Sequence, residues 1–493
     1  MKTSVTKVRD MLSVLSMDEV EKRIGGVPVV ESATGIHAAG TATVRYDETR
    51  LDIADHTSLR AMHHGVDEAS DLLKRLFRGF NGSLSLRLWD CSTLRLGTGA
   101  NAESQSDFTL VCRNPGVVRS LVLGRDPLRL ADAYFRGDID IEGNFFTALG
   151  LRDHLEAIQI SARDRVWALL SAVRLPATNA AGPRIDTGRQ SLHGRPVKAH
   201  TKTENSGAIA FHYDVSNEFY ALWLDEAMVY SCAYFERPYG DLEKAQQAKL
   251  DHICRKLMLQ PGERLLDIGC GWGALVIHAG RRYGVRAHGI TLSRRQLELA
   301  QRRIAEAGLQ NRVTVELRDY RDLEGASVYD KVASVGMFEH IGLKNLPMYF
   351  STVYRLLKPA GLFLNHGITH DVEGWKKTLS TEFINRYVFP DGQLDTVSNI
   401  QRIMERTRFE IADVEALRPH YAMTLRHWVS RLERHHEQAL HYVSEATYRV
   451  WRLYMAACAL EFESGGLGVY QVLASKRVAG GMSLPLTRRH IYP

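Results

Sequence analysis

Residues 263–277, Glu263-Arg-Leu-Leu-Asp-Ile-Gly-Cys-Gly-Trp-Gly-Ala-Leu-Val-Ile277, read as a strand, a glycine-rich turn and the start of a helix. Gly269, Gly271 and Gly273 allow a tight turn and a close backbone approach to a ligand, and the helix N-terminus offers unpaired N–H groups to an anion. Such a loop is built for a nucleotide-like cofactor. Gly269, Gly271 and Ala274 also satisfy a loose GxGxxA dinucleotide pattern, which is weak by itself. A nicotinamide site places an acid about 20 residues further on for the ribose hydroxyls. Here the second strand ends His288-Gly-Ile-Thr-Leu-Ser293, without a carboxylate.

Outward from the loop, helical periodicity covers residues 242–258, 273–283, 293–307 and 344–357. Short apolar runs lie between, at Arg264–Ile268, Val285–Ile290, Val313–Leu317, Lys331–Val335 and Gly361–Asn365. Alternating helices and strands predict an α/β fold with a doubly wound, mostly parallel sheet. Asp267 before the first glycine, in DxGxGxG spacing, resembles the S-adenosylmethionine loop of class I methyltransferases. A dehydrogenase and a glycine turn without ligand are the alternatives.

The chain has 493 residues, more than one hydrophobic core organises, which favours two or three domains. Residues 1–75 form an unassigned extension, and alternation at Leu84, Leu86, Leu88 and at Phe108, Leu110, Cys112 suggests a smaller α+β domain over 76–172, a candidate lipid-binding or dimerisation module. Residues 173–207 are Gly/Pro-rich and read as a linker carrying Arg184, Arg189, Arg195, Lys198 and Lys202 against Asp186; the catalytic domain then spans 208–493. A net charge of +6 makes local placement of charge matter more than the global field. The six cysteines, Cys91, Cys112, Cys232, Cys254, Cys270 and Cys458, show no zinc spacing and are expected as reduced thiols, with no metal. Met1–Arg23 lacks the apolar run of about 7 to 15 residues of a secretory signal, and no stretch approaches the roughly 18 of a membrane span. The expectation is a cytoplasmic protein that meets lipid peripherally, at the inner face of the membrane.

Seven ordered segments resemble the cyclopropane-fatty-acyl-phospholipid synthase family, which includes the mycolic acid cyclopropane synthases. They are Phe211–Asn217, Tyr230–Tyr234, Leu266–Gly273, Gly289–Ser293, Gly336–Gly342, Arg386–Gly392 and His420–Trp428, with a weaker likeness to bacterial full-length synthases at Asp126–Asp138. The resemblance implies that the π electrons of a cis double bond in a phospholipid acyl chain attack the sulfonium methyl of S-adenosylmethionine. A bound bicarbonate ion then removes a proton, and a cyclopropane ring closes. It implies a bicarbonate cage of Cys232 and Ile368 through the backbone, and Glu339, His366 and Tyr421 through side chains. His366 and Tyr421 can donate to an anion, and Glu339 can accept from its hydroxyl. Cofactor residues implied in the same way are Tyr230 and Ser231, the loop Gly269, Cys270, Gly271, Trp272 and Gly273 with Asp267 before it, then Thr291, Leu292, Ser293 and Gln296, and Tyr320 and Arg321. Cys458 aligns with a cysteine traditionally regarded as catalytic, although a Cys amid Ala and Leu at helical spacing is more often core.

Residues 424–442 place Leu425, Trp428, Val429 and Leu432 on one helical stripe, which suits either the core or an anionic bilayer. After Phe389-Pro-Asp-Gly392, Asp395 stands where many family members have proline. That departure leaves open a sister activity giving a methyl- or methylene-branched chain, and small-molecule N- or O-methylation is a further alternative. Partners on this reading are unsaturated phospholipid acyl chains at the membrane surface and a second copy of the chain in a homodimer. Nucleic acid is not expected, because the chain has no (D/N)PP(Y/F) and no Pro-Cys motif.

Overall fold

The computed structural model describes residues 65–78, 80, 82–97, 108–123, 128–151, 161–175, 215–374, 382–384, 387–388, 393–478 and 484–492. The charged linker, most of the extension, Phe211–Asp214, Phe389–Gly392 and Asp126 therefore lie outside the described residues. The chain divides into two units, Met1–Arg184 and Ile185–Pro493.

The first unit has helices α1 (Val66–Leu76), α2 (Pro115–Leu123), α3 (Arg129–Arg136), α4 (Phe145–Leu149) and α5 (Ala162–Arg174). A four-stranded sheet joins β1 (Leu84–Arg87), β2 (Thr93–Leu96), β3 (Phe108–Cys112) and β4 (Ile139–Gly143) in the order β2-β1-β3-β4, with only the β1–β3 pair parallel. Helix α1 opens on Asp67 and Glu68 and closes on Lys74 and Arg75, charges that complement its macrodipole. Its Ala69, Leu72 and Leu73 pack with Leu84, Leu86, Leu88 and Phe108 in one core.

The second unit is a seven-stranded sheet in the order β10-β11-β9-β8-β5-β6-β7. Its strands are β5 (Arg264–Ile268), β6 (Arg286–Thr291), β7 (Val313–Leu317), β8 (Tyr329–Val335), β9 (Leu357–His370), β10 (Phe409–Ala416) and β11 (Leu467–Lys476). Strands β5 to β9 pair in parallel, while β11 runs antiparallel to both β9 and β10. Helices are α6 (Asn217–Ala221), α7 (Leu242–Lys256), α8 (Ala274–Tyr283), α9 (Arg294–Glu306), α10 (Leu346–Leu356), α11 (Val397–Arg406), α12 (Arg418–Arg434), α13 (His436–Ala439) and α14 (Glu445–Ser464). Leu265 faces a core built with α7 and α8, whereas Leu266 and Ile268 face one built with α10 and α11. The period of two along β5 thus serves both faces of the sheet. This is the doubly wound α/β architecture expected of a class I methyltransferase fold.

Strands β10 and β11 have no counterpart in the sequence expectation, and two expected elements differ in extent. Strand β9 runs from Leu357 to His370 rather than Gly361 to Asn365. Being central, it pairs with β8 to Val335–His366 on one side and with β11 to Leu467–His370 on the other, so ladder bonds carry it past its apolar stretch. Helix α12 begins at Arg418, six residues before the expected start at 424, because Pro419 supplies a preset φ in the first turn. It ends at Arg434, and α13 is a separate turn. The stripe Leu425, Trp428, Val429 and Leu432 is buried within the unit, so it is core and not a bilayer-facing surface. No helix among the described residues is long and apolar enough to cross a membrane.

Candidate active site

The chain passes from β5 outward to β6 and β7, then returns to β8 on the other side of β5. Open α/β sheets bind ligands at such a reversal, beyond the carboxyl ends of the strands. A pocket lies there. Its wall includes Asp267, Gly269, Cys270, Gly271 and Trp272 after β5, Thr291, Leu292 and Gln296 after β6, and Tyr320 and Arg321 after β7, together with Tyr230 and Ser231. The loop glycines Gly269, Gly271 and Gly273 have φ of +83°, +53° and +84°, the left-handed region in which a side chain is strained. Gly273 and Ser293, both expected at the cofactor, are not in the wall. They terminate helices instead: Gly273 precedes α8, and Ser293 caps α9 by accepting from the Gln296 amide at 3.4 Å.

The wall is polar where a nucleoside cofactor needs partners. Thr291 Oγ1 donates to Gln296 Oε1 at 2.7 Å, and Arg321 forks onto Asp319 at 2.8 and 2.6 Å. Tyr320, 3% exposed, sets its ring edge-on to Tyr349 at 5.0 Å, and its buried hydroxyl has no partner among the described residues. Burial raises the Asp267 carboxyl to about 7, against the attraction of Lys249. An orphaned hydroxyl and a glycine cradle in one wall fit an adenosyl cofactor. Sequence reasoning missed Lys249, Asp319, Met337 and His340, which also line the pocket. For Lys249 a signal existed: it falls on the buried stripe of α7 with Leu242, Ala245, Gln246 and Ile253, where an apolar residue is the norm.

The predicted cage residues lie beside this wall. Glu339 sits in the 3-10 turn Phe338–His340, one residue from His340 and two from Met337 of the pocket. Its Oε1 accepts from the Ile368 amide at 2.7 Å, and its Oε2 is buried without a partner among the described residues. The Ile368 amide, expected at the anion, is thus taken up by Glu339. A Cβ on Gly367 would come within 2.0 Å of Phe338 Cε1 and 3.0 Å of Glu339 Oε1, so only glycine lets this turn lie on β9. Burial raises Glu339 to about 7 and lowers His366 to about 3. His366 is therefore neutral, and Gln471 Nε2 stands 3.2 Å from its Nδ1. With an amide donor there, the imidazole proton resides on Nε2.

Cys232 lies in a segment clipped between two helices. Gln246 of α7 donates to the Ser231 carbonyl at 3.0 Å, and the Ala233 amide donates to Thr424 Oγ1 of α12 at 3.0 Å. Cys232 Sγ is 3.7 Å from the Leu417 carbonyl, and the Leu417 amide donates to Val469, the β11 neighbour of Ile368. Leu417 thus joins Cys232, the start of α12 and Ile368 at one place, with Tyr421 one turn along. Tyr421 meets Trp428 at 6.0 Å and Phe462 at 4.7 Å. Around it Trp223, Tyr230 and Trp428 pack at 5.3 to 5.5 Å, a dry aromatic group that sequence reasoning did not assemble. Cys458 is on α14, buried, with its thiol pushed up to about 12 and Tyr454 beside it, so it remains a thiol and not a thiolate. Asp395 is a structural hub: its Oδ1 accepts from the amides of Gly374 and Thr396 at 3.1 and 2.8 Å and from Asn399 Nδ2 at 2.9 Å.

Residues 200–472 match the family model described as mycolic acid cyclopropane synthetase. The chain is 39% identical over 412 residues to a Pseudomonas putida protein named "Probable fatty acid methyltransferase", covering 83% of this chain and 96% of that one. It is 42% identical over 273 residues to the cyclopropane-fatty-acyl-phospholipid synthase of Escherichia coli K12, covering 55% and 68% respectively. Among solved structures, mycolic acid cyclopropane synthase CmaA1 complexed with SAH and CTAB superimposes with a TM-score of 0.52 at 34% identity, over 55% of this chain and 98% of that one.

Proposed function

The chain belongs to the cyclopropane synthase family and is an S-adenosylmethionine-dependent methyltransferase, and from that premise we propose that it converts a cis double bond in an unsaturated phospholipid acyl chain to a cyclopropane ring. The observation that supports this most is the buried Glu339, with one oxygen held by Ile368 and the other without a partner among the described residues, in the turn that carries Met337 and His340 of the pocket. Methyl transfer to nitrogen or oxygen needs no group to take a proton from the transferred methyl. Transfer to an alkene does, because the methyl must lose a proton before the ring closes.

When bound, S-adenosylmethionine supplies an electrophilic methyl and bicarbonate a small base. Asp267, Thr291, Gln296 and Tyr320 would hold the cofactor. His366 Nε2–H and the Tyr421 hydroxyl would donate to the anion, and the free Glu339 oxygen would accept from its hydroxyl. Tyr230, in the pocket wall and packed on Trp223 and Trp428, would present an aromatic face to a cation forming on the acyl chain and help keep water from it. The net change is one CH2 gained, with a proton released. The enzyme would reach its lipid from the cytoplasm, at the inner face of the membrane.

A second reading, acyl-chain methylation without ring closure, is favoured by the name of the Pseudomonas putida relative, which covers more of this chain than the Escherichia coli synthase does. Hydride shift followed by proton loss gives a methylene branch, again one CH2 gained. A methyl branch adds two further hydrogens and needs an external hydride donor. Mass spectrometry of lipids from a host lacking such enzymes separates these outcomes. Gain of CH2 with loss of the alkene signal is the expected result. Gain of CH2 with an alkene retained, or of CH2 plus two hydrogens, selects the second reading, and unchanged lipids overturn both.

A further inference from the structure

Lys249 stands in the middle of α7 at 1% exposure. An ammonium carries three N–H donors, and among the described residues Lys249 makes one hydrogen bond, to Ser231 Oγ at 2.9 Å, and no ion pair. Burial lowers it to about 8, with Asp225 and Asp267 attracting it from further away. Buried charges are normally paired, since an unpaired one costs several kcal/mol. A methionine of similar length would fill the same space without that cost, so the charge calls for a partner that the described residues do not supply.

The pocket wall shows where that partner would be. Three strong bases line it: Lys249, Arg318 and Arg321. Arg321 is closed by its fork to Asp319, and Arg318 pairs with Glu316 at 3.2 Å. His340 is also in the wall, and burial keeps it neutral by lowering it to about 4. Lys249 is therefore the one wall cation without a carboxylate partner among the described residues. It comes with Ser231 and Asp267, from α7 and the end of β5, whereas the closed Arg321–Asp319 fork follows β7. An S-adenosyl cofactor has one anionic group, the carboxylate of its amino-acid end. We propose that Lys249 anchors this carboxylate, with Ser231 fixing the direction of the ammonium. The inference rests on the cofactor reading above and extends it to a residue for which neither the motif nor the resemblance assigns a role. A charge-assisted bond in a dry wall is among the stronger hydrogen bonds, and its loss is expected to weaken binding about 10- to 100-fold.

The test is calorimetric binding to the full chain of two ligands, S-adenosylhomocysteine and S-adenosyl-3-thiopropylamine, which differ only in the carboxylate. Lys249→Met should bind S-adenosylhomocysteine at least about 10-fold more weakly while binding the amine as the wild type does. Equal weakening for both ligands, or none for S-adenosylhomocysteine, overturns the anchor. Should the variant fail to fold, the wild type alone decides. Its preference for the carboxylate ligand should fall as pH rises through about 8 and Lys249 loses its proton. The titratable groups facing it are Asp225, Cys232, Asp267 and His366, with His340 and Lys256 beyond. A preference independent of pH overturns the proposal. A wild type that binds neither ligand overturns the cofactor reading itself.

Discussion

Glu339 illustrates how function can oppose stability in one side chain. Its carboxyl titrates near 7 in the folded protein instead of near 4.5, because burial disfavours the charge more than the Ile368 amide favours it. The folded state therefore binds this proton more tightly than the unfolded chain does. The stability it contributes is full below about 4.5 and is lost as pH rises through about 7. Glu339→Gln keeps an acceptor for Ile368 and removes the charge. Urea unfolding at about pH 8 should show the variant more stable by an amount on the order of 1–3 kcal/mol, the gap closing near pH 4.5. Turnover should drop at least about 100-fold with S-adenosylhomocysteine binding nearly intact. Lost ligand binding would place Glu339 in the cofactor wall instead. The thiols give a second check at this scale. Cys91 is exposed and the other five cysteines are buried, so a thiol reagent should modify one site in the native protein and six after denaturation.

At the scale of elements, the site depends on how β9 is held. Gly367 is the point where the Phe338–His340 turn touches the strand, and an added methyl has nowhere to go. Gly367→Ala should lower stability by about 1–3 kcal/mol and reduce turnover more than it reduces cofactor affinity, because it displaces Glu339 and leaves the glycine loop untouched. The far end of β9 is tied to the next connection, where the His370 amide donates to the Asp395 carbonyl at 3.0 Å. The Asp395 carboxylate gathers three more donors there, so Asp395→Ala should cost about 1–3 kcal/mol in denaturant unfolding. An unchanged midpoint would show those bonds to be replaced by water. A proline, which the family resemblance leads one to expect at this position, could not make them, so the departure has a structural account independent of product type.

At the scale of the whole molecule, each unit has its own core and its own sheet. Residues 185–493 expressed alone should unfold cooperatively and bind S-adenosylhomocysteine within about threefold of the full chain. Vesicle binding measured beside turnover then tests the proposed lipid role of the first unit: loss of vesicle binding on truncation supports it, and unchanged binding removes it. The legibility of the protein follows the same division of scales. The cofactor loop was readable because Asp267 and three glycines act through one contiguous turn, whose backbone geometry depends on residue type alone. The proposed cage was not derivable from pattern. Glu339, His366, Ile368, Tyr421 and Cys232 are up to 189 positions apart, and only likeness to a family connected them. Sequence alone determined the α/β class, the cofactor loop and the positions of strands β5 to β8, because hydrophobic period and glycine spacing are local properties. Tertiary structure alone decided the length of β9, the burial of the α12 stripe and the exposure of Lys249 to the pocket. Those depend on which neighbours supply hydrogen bonds, cover and charge, and such neighbours are distant in sequence and adjacent only in the folded chain.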